Sequence, residues 1–340
     1  MPMFRKIINR YESKAFAFLI LMFVMVSLVN SDFLTGESVV NCFNDSVVFT
    51  LLAVGSAFVI LTGEIDVSVG SVLGISAAVA ATALRDGSSV FTAISLAILV
   101  GAFFGFVNGI GVAVLKIPSL IFTLGTYGVA RGMVYVYTGG AWVENLPAWF
   151  TSASHSCLCG YLTWYYALAI IFVIFVQFLL SHTKKGHNFI AVGDNYQGAE
   201  LVGINPTQTK IYAYVISGVF ASVAGLIFTS RIGFITPMSG NSYEMKAIAA
   251  CVLGGISLSG GLGTLIGAAI GAVIMTSITR ILVFLGLSSN YDNTITGIIL
   301  IVIVVVNTII QNREIVKSRR EISLKRIAKK AFIDNQEVSK

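Results

Sequence analysis

Long apolar runs separated by short polar segments make up most of this chain. A membrane-spanning helix needs about 20 mostly apolar residues. Ten runs qualify as candidate spans: residues 15–29, 47–61, 67–84, 90–115, 120–138, 165–180, 211–228, 245–258, 265–285 and 294–310. The first and sixth are short, and the eighth is shorter still and glycine-rich. The pattern predicts an all-α polytopic membrane protein of about ten transmembrane helices. One stretch interrupts it. LTGEIDVSVGSVLG (residues 61–74) sets Glu64 and Asp66 between two apolar runs, where charge is expensive.

Composition agrees with a membrane protein. Apolar residues make up 56% of the chain and charged residues 11%, against about 25% charged in soluble domains. Mean hydropathy is +0.87. The first fourteen residues carry four bases ahead of an apolar run. The following VNSDFL lacks a small-x-small cleavage site, so an uncleaved first span is expected rather than a signal peptide. The expected organisation is residues 1–14 as a cytoplasmic N-terminus, 15–310 as the membrane domain and 311–340 as a basic cytoplasmic tail. That tail holds nine bases and four acids. Directly after an apolar span, it reads as a segment held near anionic lipid, not as a nucleic-acid-binding arm.

Loop charge orients the spans. Both ends and the loop around Lys184 and Lys185 are basic, whereas residues 30–46 hold Asp32, Glu37 and Asp45 and no base. Ten spans place every basic segment on the cytoplasmic side, which requires the eighth segment to cross. Residues 139–163 form the largest expected outward loop, with Tyr135, Tyr137, Trp142 and Trp149 towards its start and Tyr161, Trp164, Tyr165 and Tyr166 towards its end, since such aromatics collect at headgroup level. In GAFFGFVNGIGV and GGLGTLIGAAIGAV, glycines recur at spacings of three and four, which reads as close helix packing.

Residues 63–81 echo residues 254–272 at an offset of 191, with eight of nineteen positions identical. Two related halves with broken or re-entrant segments would produce such an echo. The span count puts both segments on the cytoplasmic side, whereas inverted repeats would put them on opposite sides. Two readings of Glu64 and Asp66 stand open at this stage. They stabilise a helix break at or near a solute route, or they form a polar interfacial turn with Asp66 or Ser68 as N-cap.

No nucleophile–base set and no phosphate-binding glycine loop is present, so no catalytic residue is assigned. His155, Cys157 and Cys159 lie close together in HSCLC, but not with zinc-site spacing, and no metal is expected.

Three long motifs, in order, resemble the permease subunits of bacterial ATP-binding-cassette importers of the ribose type. They are LTGEIDVSVGS, AVGDNYQGAELVGINPTQTKI (residues 191–211) and EMKAIAACVLGGISLSGGLGTLIGA (residues 244–268). Residues 115–147 and 230–255 are similar to the autoinducer-2 import branch of that family, and the stretch around Thr138–Trp142 is shared with rhamnose permeases. The family's usual Ala-Arg pair in the cytoplasmic loop is Ala199-Glu200 here.

The resemblance implies a ten-helix inner-membrane permease with both ends cytoplasmic and no bound cofactor of its own. It implies a second, dissimilar permease subunit, ATP-binding subunits that bind the ATP, and a periplasmic solute-binding protein. It also implies a small hydroxylated solute, autoinducer-2 or else a monosaccharide such as rhamnose or ribose. The loop with Asp194, Asn195, Gln197, Gly198, Ala199, Glu200, Leu201, Gly203 and Ile204 is expected to couple to the ATPase.

Residue chemistry nominates Glu64, Asp66, Ser68, Asn108, Thr123 and Thr126 for the translocation path or helix break, with Tyr127 beside them and Phe104 and Phe122 as walls. Arg131 is expected to pair with Asp66 or Glu144, with neutralisation of a passing anionic solute as the alternative. Glu244 and Lys246 are expected at the periplasmic gate or the binding-protein contact. Two other classes compete: an ion-driven secondary transporter with Asp66 as proton relay, and an intramembrane enzyme or scaffold.

Overall fold

A computed structural model describes residues 11–158, 161–288, 291–302 and 304–305. The basic tail, the first ten residues, Cys159 and the end of the tenth expected span lie outside the described residues. The chain divides into two compact units, Met1–Thr296 and Gly297–Lys340. The first holds every feature discussed below; described residues of the second are helical.

Helices dominate, as the apolar runs require. In order they are α1 (Tyr11–Val29), α2 (Gly36–Asp45), α3 (Val47–Leu61), α4 (Val69–Arg85), α5 (Val90–Gly109, continued by a π turn Ile110–Val114), α6 (Ser119–Thr138) and α7 (Ala148–Ala153). A two-stranded antiparallel hairpin follows, β1 (Cys157–Leu158) with β2 (Leu162–Thr163). Then come α8 (Trp164–His182), α9 (Lys184–Asp194), α10 (Tyr196–Leu201), α11 (Pro206–Ile232), α12 (Tyr243–Leu253), α13 (Leu265–Phe284) and α14 (Tyr291–Val302).

Among the described residues five helices are long and apolar enough to cross a membrane: α1, α5, α8, α11 and α13. A sixth forms if α2 and α3, bent by 43°, count as one span. The chain is therefore a multi-pass membrane protein. α4 and α14 are too short for that test, and α6, with Arg131 and several glycines and threonines, does not pass it.

The eighth expected span needs correction. As a helix it is only α12, whose 11 residues reach about 16 Å at 1.5 Å per residue, half the hydrocarbon thickness. Residues 254–264 continue without helix, and Gly255, Gly260, Gly261 and Gly263 adopt positive φ. Such irregular backbone is tolerated at membrane depth only where protein encloses it.

The interior is built on α3, all fifteen of whose residues are buried. α5 and α11 pack backbone to backbone. A Cβ on Gly101 would stand 2.2 Å from the Gly218 carbonyl oxygen, and one on Gly105 2.3 Å from that of Tyr214. The glycine spacing of three and four is thus a packing seam. Gly105→Leu is expected to cost about 3 kcal/mol, because neither helix axis can retreat from a packed core. The check is thermal unfolding in detergent, where an unshifted midpoint would contradict the seam.

One end of the bundle carries the loops around Trp142, Tyr161 and Phe234. Val143 bridges Ile235, Trp142 stacks on Phe234, and Asn44 bonds the backbone at Tyr161 and Thr163. The opposite end carries α9 and α10 beside the basic Lys184–Lys185 segment.

Candidate functional site

The carboxylates in LTGEIDVSVGS sit where the chain leaves α3 and has not yet entered α4. Gly63, at φ 80°, makes the turn. The freed backbone of residues 62–68 finds partners on two other helices, α6 and α11, as groups cut off from water must. The Ile65 N–H donates to Ser119 Oγ (3.3 Å) and the Val67 N–H to Thr123 Oγ1 (3.2 Å). The Ile65 carbonyl accepts from the Tyr214 hydroxyl (3.3 Å).

Asp66, 3% exposed, accepts from the Ser68 N–H (2.9 Å), from Ser68 Oγ (2.6 Å) and from Ser217 Oγ (3.1 Å). Asn108 Nδ2 donates to Ser68 Oγ (2.8 Å), and Thr126 Oγ1 donates to Asn108 Oδ1 (2.7 Å). Asp66, Ser68, Asn108, Thr123 and Thr126 thus come together as one buried network. In this conformation they hold the break, and none of them lines the cavity described below. Asp66 and Ser68 do meet across a local turn, but four further residues from α5, α6 and α11 complete the arrangement. Phe104 is buried, and the Phe122 ring lies against Gly111 of the π turn.

Glu64 points elsewhere. Its Oε1 lies 2.5 Å from Lys210 Nζ at the start of α11, and both side chains are less than one-fifth exposed. Lys210 Nζ in turn stands 5.2 Å from the centre of the Tyr196 ring on α10, within cation–π range.

The second break meets the first. The Gly261 N–H donates to the Leu61 carbonyl (3.0 Å), and a Cβ on Gly260 would come within 2.7 Å of the Gly63 nitrogen. The end of α9 completes the junction: a Cβ on Gly193 would fall 1.9 Å from the Leu61 oxygen and 2.6 Å from the Gly261 nitrogen. The echoed segments therefore lie at the same end of the bundle, not at opposite ends.

α10 emerges directly from this junction. Asn195 caps it through the Gly198 N–H (2.8 Å), and Gly203, at φ 83°, ends it, the left-handed termination that glycine favours. Ala199 is buried; Asp194, Asn195, Tyr196, Gln197, Glu200, Leu201 and Val202 are exposed, Leu201 at 88%, and Ile204 is half-buried. The loop is a short helix with an uncovered apolar tip, seated on two helix breaks.

At the other end, Arg131 corrects an expectation. Its Nη1 donates to the carbonyls of Pro237 (2.9 Å) and Ser239 (2.7 Å), not to Asp66 or Glu144. Tyr127 bonds Asn241 across the same loop (2.9 Å). Glu244 and Lys246 do not form the binding-protein contact that was one of their two expected roles: both are buried, at 5% and 7% exposure, because α12 runs inside the bundle. Neither presents a surface to a partner. Lys246 pairs with Asp292 and stands 5.1 Å from the centre of the Phe49 ring. Asp45 holds both Arg231 (2.6 Å) and Arg280 (2.7 Å). Asp45, Lys246, Arg280 and Asp292 line a cavity of about 670 Å³, with Arg231 outside it.

Sequence reasoning did not single out Lys210, Ser217, Arg280 or Asp292. A signal existed for Lys210 and Arg280, each a lone cation at the edge of or within an apolar run.

Comparison with known proteins places the chain in a family. The family described as "Branched-chain amino acid transport system / permease component" matches residues 38–304. The chain belongs to this permease family. Similar proteins include the autoinducer 2 import system permease protein LsrC of Yersinia pseudotuberculosis serotype O:1b (strain IP 31758) and that of Yersinia pestis (strain Pestoides F). Each is 40% identical over 305 residues, covering 89% of this chain and 86% of the relative. No solved structure matches the chain. As a permease component the chain is the membrane part of a transport system, without a catalytic role of its own.

Proposed function

We propose that this chain is the membrane-spanning subunit of an ATP-driven importer in the bacterial inner membrane, with ten crossings and both ends in the cytoplasm. It moves a small hydroxylated solute, autoinducer-2 by its relatives' printed names, from a periplasmic binding protein to the cytosol. ATP is bound and hydrolysed by partner ATP-binding subunits, and a second permease subunit completes the pathway. The observation that carries this reading is α10. It is exposed and apolar-tipped, lies at the basic end, and its base is joined to both helix breaks through Gly193. A partner that grips Asp194–Ile204 moves the breaks with it, and the buried Asp66–Asn108–Thr126 network keeps the first break intact as it moves.

Rhamnose or ribose import would use the same machinery. The test is uptake of labelled autoinducer-2 by cells expressing the assembled system, with ATP clamped and the proton gradient collapsed by an uncoupler. Uptake is expected to continue and to require the binding protein. Uptake that stops on uncoupling would favour a proton-driven carrier instead.

A further inference from the structure

We propose that the cavity at the end opposite α10 is a binding site for an uncharged polyhydroxylated molecule, the first place in the membrane domain where the solute is held. This rests on the importer reading above.

Position comes first. Phe49 opens α3, and α3 ends at Leu61 in the backbone junction. Tyr243 and Lys246 open α12, which leads into the Gly260–Gly261 break. Thr276, Thr279 and Arg280 lie near the end of α13, which starts four residues after that break. Three walls of the cavity are thus the far ends of the chain segments that meet under α10. Over about 22 Å of α3, a displacement at the junction has packed helix to travel through and reaches these walls.

Chemistry sets the ligand class. Every charged group lining the cavity is already paired: Lys246 with Asp292, and Arg280 with Asp45, which also holds Arg231 from outside it. Thr279 Oγ1 donates to Asp292 Oδ1 (3.0 Å). A charged ligand would have to break one of these pairs and strand its partner, which is costly in a partly buried site. A hydroxyl does not, because it donates and accepts at once. It can bridge the free lone pairs of Asp292 and the remaining protons of Lys246 and leave the pair standing. Asn241 and Asn293 add neutral donors and acceptors, while Phe49 and Tyr243, with ring centres 4.6 Å apart, offer a face for C–H groups. A volume of about 670 Å³ falls in the usual range for small-molecule sites and exceeds what one sugar-sized molecule fills, so it accommodates the solute with its waters. Loose holding suits a site that must release its cargo onward.

The test uses reporter cysteines in the assembled transporter. Asn293→Cys is labelled from outside with a membrane-impermeant thiol reagent, with native Cys157, exposed on the hairpin, as internal comparison; Asn241→Cys is a second reporter should the first not express. At a concentration of autoinducer-2 or D-ribose about ten times its Kd, labelling at residue 293 is expected to slow about tenfold by mass action, with Cys157 unaffected. Ribose 5-phosphate is expected to give no protection. In the paired variant Lys246→Met with Asp292→Leu, protection is expected to vanish.

ATP-dependent uptake without protection by either neutral probe would overturn the site and leave the importer reading intact. Protection by the neutral probes in a system whose uptake ignores ATP would overturn the importer reading and keep the site. Stronger protection by the phosphate ester would overturn the assignment of an uncharged ligand.

Discussion

Gly193→Val is expected to abolish solute uptake while the protein still inserts in the membrane. The position has no room for any side chain: its Cβ would lie 1.9 Å from the Leu61 oxygen and 2.6 Å from the Gly261 nitrogen. Both obstacles are backbone, and the two are themselves hydrogen-bonded to each other (3.0 Å), so neither can yield as a flexible side chain would. Valine therefore forces the end of α9 off the junction at a cost of about 3 kcal/mol or more, roughly a hundredfold in the population of the closed arrangement. Gly36→Val, at a glycine where an added Cβ would meet no other part of the structure within 4 Å, serves as the control for expression and insertion. Uptake and ATP hydrolysis are measured on the same assembled transporter. In the variant, hydrolysis is expected to persist at its basal level and to lose its response to the loaded binding protein. Normal solute-stimulated hydrolysis with normal uptake would remove the junction from the transmission route.

The second large effect is at Lys210. Replacing it by methionine leaves Glu64 partly buried beside the break without its counter-ion, and removing one partner of such a pair costs about 3 kcal/mol. It also removes the cation between Glu64 and the Tyr196 ring, and so one of the side-chain links from α10 to the first break. Uptake per ATP hydrolysed is expected to fall about tenfold or more, since 1.4 kcal/mol already corresponds to one decade. The double variant Glu64→Gln with Lys210→Met is expected to recover part of the loss, because two neutral neighbours strand no charge. A double-mutant cycle in uptake and in thermal stability provides the measurement. Single effects that add to within about 0.5 kcal/mol would show that the pair carries no coupling of its own.

These two experiments address different links. Gly193 tests the backbone contact between α9 and both breaks, whereas Lys210 tests the side-chain route to the first break alone. A result in which only Gly193→Val uncouples would place transmission in the backbone junction and leave the ion pair with a role in stability.

Much of the site was visible in the residues themselves. Glu64 and Asp66 stood out because charge inside a greasy chain needs a reason, and the flanking Gly63 and Ser68 marked a break. The exposed α10 was visible as a polar loop with a compact apolar side ended by Gly203. The echo between residues 63–81 and 254–272 flagged two segments that turn out to touch. What went unread was direction and depth. Glu244 and Lys246 looked available to a partner protein because they follow the loop of residues 233–242, yet α12 buries both, and Lys246 faces a cavity instead. Arg131 looked like a partner for a carboxylate, and it serves two carbonyls of a loop more than a hundred residues away.

The sequence by itself determined that the chain is a many-helix membrane protein and which segment lies at the basic end, and it marked residues 63–70 as a candidate break, since these depend on local composition and on the chemistry of single residues. Only the tertiary structure decided which apolar helices are enclosed by the rest of the chain and which lie on its surface. Hydropathy cannot separate the two, because lipid tails are as apolar as leucine, and the fully buried α3 reads much like the largely exposed α8. The tertiary structure also supplied the partners that make the breaks tolerable. Ser217 reaches Asp66 across 151 residues, and Lys210 reaches Glu64 across 146. Such pairings are set by how helices cross, which no local pattern along the chain encodes.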